Sequence, residues 1–227
     1  MLTSRKTTNI SHFNLKAHPE ELTNSFKSAL KEDIRISFSF ANFSWFDGCE
    51  NSVRRHLRMK DVYVNKARKI IRTFTEAFGK DDVTTVGVHI RRGDRATQKL
   101  YKLGYRVPQM GYFNKAMSYF RKKYKNVLFI IATDDRDWVM QNFPHKNFSD
   151  VYLAPKNTFE IDFALLIECD YVIQSVGTFS RWAAFLNGNE SIHYKYELLC
   201  ASSRCHTIGI HNSTRSPFQD HWMTMVN

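Results

Sequence analysis

The chain has 227 residues, 43% of them hydrophobic and 14% aromatic, which is enough apolar material for a sizeable core and excludes an intrinsically disordered protein. The formal net charge of +11 makes phosphate-bearing and other anionic partners worth considering. No apolar run approaches the ~20 residues of a membrane helix, and the first ten residues lack the apolar stretch of a signal peptide, so we expect the chain as given to be soluble.

The N-terminal region, residues 1–80, is predicted to be partly helical. Its first part mixes short aromatic runs with polar breaks and predicts one strand, around 34–40. From 52 to 78 apolar residues recur at helical spacing, with an interruption near Asp61 and a stop at Gly79. This pattern predicts one or two helices.

After Gly79 the pattern changes to short apolar runs that alternate with helical segments. Such alternation with short turns is typical of βαβ units on a parallel sheet. The sequence therefore predicts an α/β, Rossmann-like domain over 81–227. Strands are expected at 83–90, 126–133, 150–154, 171–175 and 191–196, with helices at 111–124, 135–143, 158–169 and 179–188.

The densest basic cluster, residues 121–125, lies inside a helical pattern whose apolar residues share one face. Its lysines then lie on the opposite, solvated face. The alternative, a nucleic-acid patch, has only the net charge in its favour, because no nucleic-acid-binding module is recognisable. We therefore expect no nucleic-acid partner.

The stretch VGVHIRRGD, residues 86–94, carries a buried strand directly into charged residues. Ligands of parallel sheets bind beyond the carboxyl ends of the strands. Alternation places His89 and Arg91 on one face and Arg92 on the other, and an arginine fork matches phosphate oxygens. Asp94 can orient an arginine or accept a substrate proton. The alternative is a strand that ends in water, with surface ion pairs worth about 0 to 1 kcal/mol each.

A second anion site is predicted where the strand at 171–175 turns at Gly177 into a helix. Free backbone N–H groups at a helix N-terminus attract anions, and Thr178 or Ser180 can cap this helix. The turn should emerge at the same edge of the sheet as Arg91. The alternative is an ordinary strand-to-helix turn with a good cap. Neither a G-x-G-x-x-G nor a P-loop pattern occurs, which excludes those two phosphate-binding motifs.

Three stretches together resemble successive motifs of the α-1,2-fucosyltransferases, the group that includes the H-antigen enzymes. They are VGVHIRRGD, YFNKAMSYFRKKYKNVLFIIATDD and DFALLIECDYVIQSVGTFSRWAAFL, and the likeness extends over about 53–194. The resemblance implies a GT-B-like fold with a Rossmann-like donor domain and a shortened N-terminal, acceptor-side region. It also implies metal-independent, inverting transfer of L-fucose from GDP-fucose to the 2-hydroxyl of a terminal galactose on a glycan, with no cofactor besides the donor substrate.

Carried over to this chain, the resemblance assigns a donor site. Arg91 would bind the β-phosphate, and Asp162 would accept hydrogen bonds from the guanine edge. Asp94 is the preferred catalytic base, and His89 is the second candidate. The expected donor-binding residues are His89, Arg91, Arg92, Asp162, Gly177, Thr178, Phe179 and Ser180.

No metal site is expected. Asp134 and Asp135 follow a predicted strand and are interpreted as a helix cap rather than as metal ligands. The run from Cys200 to His211 holds two cysteines and two histidines, but its spacing departs from that of the usual zinc sites. A local disulfide between those cysteines is the favoured alternative in an oxidising compartment.

The predicted location is the Golgi lumen. N-x-[ST] sequons favour a secretory compartment and predict N-glycans, and the resemblance implies the Golgi. Family members are attached to the membrane by an amino-terminal anchor, which we expect the chain as given to lack. The sequons are at Asn9, Asn42, Asn147, Asn189 and Asn212.

A second hypothesis is a catalytically silent protein of the same fold. A short N-terminal region suits a sugar-nucleotide or glycan-binding protein that kept the donor domain and lost the acceptor half. Binding of GDP without transfer to any acceptor would distinguish this protein from an enzyme.

Overall fold

The computed structural model describes most of the chain between residues 46 and 194, together with three strands that lie outside this range in the sequence. Two of those strands, β1 (Ile10–Phe13) and β2 (Asp33–Ile36), pair in parallel as a small sheet of their own. The second overlaps the first part of the strand that the sequence predicted around 34–40, and 37–40 lie outside the described residues. The described residues are 10–13, 33–36, 46–102, 105–143, 148–194 and 222–225.

The main sheet contains six strands, and every neighbouring pair is parallel. In chain order they are β3 (Thr84–Ile90), β4 (Val127–Thr133), β5 (Val151–Leu153), β6 (Tyr171–Ile173), β7 (Ser191–Tyr194) and β8 (Trp222–Met225). Their order across the sheet is β5-β4-β3-β6-β7-β8. The first five strands were predicted from the sequence, whereas β8 was not expected.

Helices connect these strands, as the alternating pattern predicted. Two of them precede the main sheet, which confirms the break expected near Asp61. The helices within the described residues are α1 (Glu50–His56), α2 (Asp61–Phe78), α3 (Gln98–Lys102), α4 (Met110–Lys123), α5 (Arg136–Asn142), α6 (Phe159–Glu168) and α7 (Thr178–Asn187), and a short 3-10 turn spans Gly93–Ala96.

The helices cover both faces of the main sheet, which explains why its central strands are continuously apolar. On one face Phe129 of β4 belongs to the same buried cluster as Phe120 of α4. On the other face Ile130 of β4 clusters with Leu165 of α6 and Ala67 of α2. The predicted α/β fold class with a parallel sheet is therefore confirmed.

Helix α2 packs onto the main sheet, although it precedes the predicted boundary between residues 80 and 81. Besides its apolar contacts, its Arg68 Nε lies 2.6 Å from Glu168 Oε2 of α6. The division into an acceptor-side region and a donor domain stays a prediction. Among the helices that the structure describes, none combines the length and apolarity that crossing a bilayer requires.

The strand order reverses between β3 and β6. From β3 the chain proceeds outward through β4 and β5, and it then returns across the sheet to place β6 against the other side of β3. In open α/β sheets the carboxyl ends of the two strands at such a reversal enclose a ligand-binding crevice. The Tyr112 hydroxyl of α4 stabilises the end of β6 at this crevice, because it donates to the carbonyl of Gln174 at 2.7 Å, directly after the strand.

Candidate functional site

Arg91 directly follows the carboxyl end of β3, where the strand order reverses, and its guanidinium lies between two carboxylates. Its Nη1 is 2.7 Å from Asp134 Oδ2, and its Nη2 is 2.6 Å from Asp94 Oδ1. Its backbone N–H donates to Ser175 Oγ at 3.1 Å, which joins the end of β3 to the residues after β6. The Arg91 side chain is 39% exposed, so an anion in the crevice can reach its guanidinium.

The turn between β6 and α7 completes the other side of the crevice. Gly177 begins the helix with φ 93° and ψ 178°, and no side chain among the described residues caps it. Ser180 Oγ accepts instead from the backbone N–H of Ser175 at 3.1 Å, inside the turn. The prediction that Thr178 or Ser180 caps the helix is therefore wrong. Within the part of the chain that the structure describes, no side chain caps the start of α7, and a helix N-terminus of this kind suits an anion.

His89 is buried beneath this turn, with 6% of its surface exposed. Its ring centroid lies 5.1 Å from that of Phe179, and its Nδ1 has no hydrogen-bond partner among the described residues. Burial, with a smaller contribution from the Arg91 charge, lowers the pKa of His89 to about 3. The imidazole is therefore neutral at physiological pH and a weak proton acceptor.

We expect the buried neutral His89 to make the protein acid-sensitive. In the unfolded chain the pKa of His89 is near 6.5, so the unfolded state binds a proton below pH 6.5. The folded state binds this proton only near pH 3. The free energy of unfolding therefore has its full value above pH 6.5 and declines as the pH falls below 6.5. Between pH 7 and pH 5 this residue should lower the free energy of unfolding by about 2 kcal/mol.

Urea denaturation of the wild type and a His89→Gln variant at both pH values measures this effect. His193, whose pKa burial lowers to about 4, titrates alike in both proteins and cancels from the difference. An equal loss of stability in the two proteins would contradict a neutral His89.

Arg92 points to the opposite side of β3, as the alternation predicted. Its guanidinium lies over the Trp138 ring of α5, 4.2 Å from the centroid, and its Nε is 3.6 Å from Asp135 Oδ2. Only 14% of the side chain is exposed. The structure therefore does not bring the Arg92 guanidinium to the side of β3 where His89 lies, and its predicted contact with the donor stays a prediction.

Asp162 lies in a cavity of about 180 Å³ beyond the ends of β4 and β5. Asn157 donates to its Oδ1 at 3.1 Å, and burial raises the pKa of the Asp162 carboxyl above its usual range. Asp134 and Arg136 line the same cavity, which therefore borders the carboxylate that pairs with Arg91. The cavity at Asp162 therefore suits a polar, planar group of a ligand whose anionic part binds at Arg91.

Two residues of this site, Asp134 and Ser175, are not among those predicted from the sequence. Asp135 is the cap of α5, as predicted, because its side chain accepts from the Trp138 N–H at 3.1 Å. Asp134 does something else and pairs with Arg91. The signal was available, since Asp134 directly follows the strand next to β3, where carboxyl ends of parallel strands meet. Ser175, the second omission, carried no comparable signal, because a serine after a strand is common in turns.

Several further predictions fall on other parts of the chain. The run from Cys200 to His211, with its zinc and disulfide alternatives, lies outside the described residues, as do all of the sequons except Asn189. Asn189 is exposed in the turn between α7 and β7, and its side chain donates to the carbonyl of Asp170 at 3.1 Å. Its glycosylation stays a prediction.

Residues 1–224 match the family model described as Glycosyl transferase family 11. The chain is 29% identical over 167 residues to the galactoside alpha-(1,2)-fucosyltransferase 2 of Pongo pygmaeus, covering 71% of this chain and 48% of that protein. It is 30% identical over 181 residues to the galactoside alpha-(1,2)-fucosyltransferase 1 of Sus scrofa, with coverages of 77% and 49%. The chain thus spans about half the length of the curated relatives it matches.

Among solved structures, the fucosyltransferase NodZ from Bradyrhizobium is similar over 73% of this chain and 56% of its own, with a TM-score of 0.41 and 21% identity. A crystal structure of NodZ alpha-1,6-fucosyltransferase soaked with GDP-fucose gives a TM-score of 0.40 and 22% identity, and the match covers 74% of this chain and 57% of that one.

Proposed function

The chain belongs to glycosyl transferase family 11, and from this premise we propose that it transfers L-fucose from GDP-fucose to the 2-hydroxyl of a terminal galactose on a glycan. The curated relatives are named for this transfer to galactosides. The observation that carries the proposal is the hydrogen bond from the Arg91 backbone to Ser175, which joins the end of β3 to the turn that leads into α7, at the reversal of strand order.

This arrangement suits the charge that develops during the transfer. As the bond from fucose C1 to the β-phosphate oxygen breaks, its electron pair stays with GDP, and positive charge grows on the sugar ring. Arg91 and the amides of α7 face the growing negative charge, so they stabilise the transition state more than the ground state. The proposed reaction is metal-independent, and these protein groups then supply the electrostatic stabilisation alone.

The acceptor hydroxyl attacks fucose C1 from the side opposite the diphosphate, so the configuration at that carbon inverts. The new C1–O bond forms as the bond to GDP breaks, and the hydroxyl proton passes to a base. We assign this role to Asp94, because its side chain is 61% exposed at the crevice, whereas His89 is buried, with 6% of its surface exposed.

The nucleoside part of the donor occupies the cavity at Asp162 in this proposal. The Asp162 carboxylate accepts hydrogen bonds from the N–H groups of the guanine edge, and Asn157 orients this carboxylate. His89 and the turn of Gly177, Thr178, Phe179 and Ser180 close on the phosphates. We place the protein in the Golgi lumen, as the resemblance to membrane-anchored family members implies.

Release of GDP from GDP-fucose, measured with and without a β-galactoside such as lactose and in the presence of a chelator, tests this function. We expect release that the galactoside stimulates and the chelator does not reduce. Stimulated release that requires a divalent metal would contradict the metal-independent mechanism. If GDP binds but no acceptor stimulates release, the second hypothesis, a silent sugar-nucleotide-binding protein, replaces the enzyme.

A further inference from the structure

Asp134 joins the ends of the two central strands at the candidate site. It is the first residue after β4, and its Oδ2 pairs with Arg91 Nη1 at 2.7 Å. Its other oxygen, Oδ1, accepts from the backbone N–H of Arg92 at 2.9 Å. One carboxylate thus fixes both the side chain of Arg91 and the backbone directly after it. Both oxygens are used, and only 25% of the side chain is exposed.

The glycine of the HIRRGD stretch makes room for this carboxylate. A Cβ added at Gly93 would lie 2.6 Å from Asp134 Oδ2, closer than van der Waals contact allows. The backbone of Gly93 has no left-handed conformation that would itself require glycine. The close approach of Asp134 is therefore the physical reason for a glycine at this position.

Asp94 contacts the same guanidinium in a different way. It lies three residues after Arg91 in a 3-10 turn, its side chain is 61% exposed, and its Oδ1 is 2.6 Å from Arg91 Nη2. Its other oxygen is 3.7 Å from Arg95 Nε, which is also a surface contact. Exposed, local ion pairs of this kind are worth about 0 to 1 kcal/mol, so another anion can replace Asp94.

We propose that Asp134 is a positioning residue that holds Arg91 for the donor diphosphate, and that Asp94 is a temporary counter-ion that the diphosphate replaces. This inference rests on the proposed function. A guanidinium presents its donors along fixed edges. Asp134 occupies Nη1, and the edge at Nη2 is free for phosphate oxygens once Asp94 leaves. Asp94, released in this way, is available to take the acceptor proton.

Substitution to asparagine is expected to have opposite effects on GDP affinity at Asp134 and at Asp94. GDP binding to the wild type, Asp134→Asn and Asp94→Asn is measured by titration calorimetry at constant ionic strength. Asp134→Asn should weaken GDP binding by about tenfold, because Arg91 loses its fixed orientation. Asp94→Asn should tighten GDP binding by roughly threefold, because a competing anion is removed.

A double-mutant cycle separates positioning from a general effect on the fold. In an Arg91→Ala background, both asparagine substitutions should leave GDP affinity unchanged within about twofold, since their effects act through the guanidinium. Asp135→Asn is the matched control, because this neighbouring carboxylate caps α5, and asparagine also caps helices. We expect its GDP affinity to equal that of the wild type.

A second variant covers the case in which Asp134→Asn fails to fold. Gly93→Ala keeps the charge of Asp134 and displaces its carboxylate, so it too should weaken GDP binding. If both variants bind GDP like the wild type, or if their losses persist in the Arg91→Ala background, the positioning role is wrong while the donor site stands. If the wild type itself binds no GDP, the proposed function and this inference both fail.

Discussion

Replacing Arg91 by alanine is expected to lower kcat for fucosyl transfer by about 10²- to 10³-fold, the usual cost of removing one donor to developing negative charge. Arg91 Nη2 pairs with the exposed Asp94, and the Arg91 side chain is itself 39% exposed. The fold should survive, because the hydrogen bond that joins β3 to Ser175 comes from the backbone of Arg91 and remains. The effect should appear in kcat more than in KM, since the charge is greatest in the transition state.

Acceptor-dependent GDP release by purified wild type and variant measures this loss, and circular dichroism reports on the fold. Arg68→Ala is a suitable control, because it removes a surface arginine of α2 whose partner is Glu168. Its surface pair is worth about 0 to 1 kcal/mol, so turnover should remain at the wild-type level. Turnover of folded Arg91→Ala at the wild-type rate would remove Arg91 from the mechanism.

Replacing Gly177 by alanine is expected to lower both stability and GDP affinity. With φ 93° and ψ 178°, Gly177 occupies a backbone region that is essentially restricted to glycine. Apart from Gly177 and its two neighbours in the chain, no atom of the described residues lies within 4 Å of an added Cβ, so the cost is backbone strain rather than a clash. We expect a loss of about 1 to 3 kcal/mol in the free energy of unfolding. Relaxation of the turn should also move the α7 amides and weaken GDP binding by about tenfold.

Urea denaturation and calorimetric titration with GDP separate these two effects. Gly79→Ala is the matched control, because Gly79 also has a positive φ, 64°, and no described residue beyond its chain neighbours lies within 4 Å of an added Cβ. It ends α2, away from the crevice. Alanine there should cost about 1 to 2 kcal/mol of stability and leave GDP affinity unchanged. Equal GDP affinities in the two variants would mean that the α7 turn takes no part in binding.

The candidate site was only partly predictable. Arg91 and Gly177 were found because a charge at a strand end and a glycine at a turn are local features with a known meaning in parallel sheets. The sequence predicts that Asp134 and Asp135 both serve as a helix cap, and only Asp135 has that role. The caps proposed for α7 were wrong because Ser180 bonds within the preceding turn instead. Capping depends on side-chain rotamers, which residue types and spacing do not specify.

Residue patterns along the chain are enough to predict the fold class and most of the helices and strands. Hydrophobic periodicity reports whether a segment is a strand or a helix, and that property is set by residues a few positions apart. The order of the strands, with its reversal between β3 and β6, was decided only by the tertiary structure, because strand pairing depends on the packing of segments far apart in the chain. The pairing of Arg91 with Asp134, 43 residues later, follows from that order, since it exists only where β3 and β4 lie side by side.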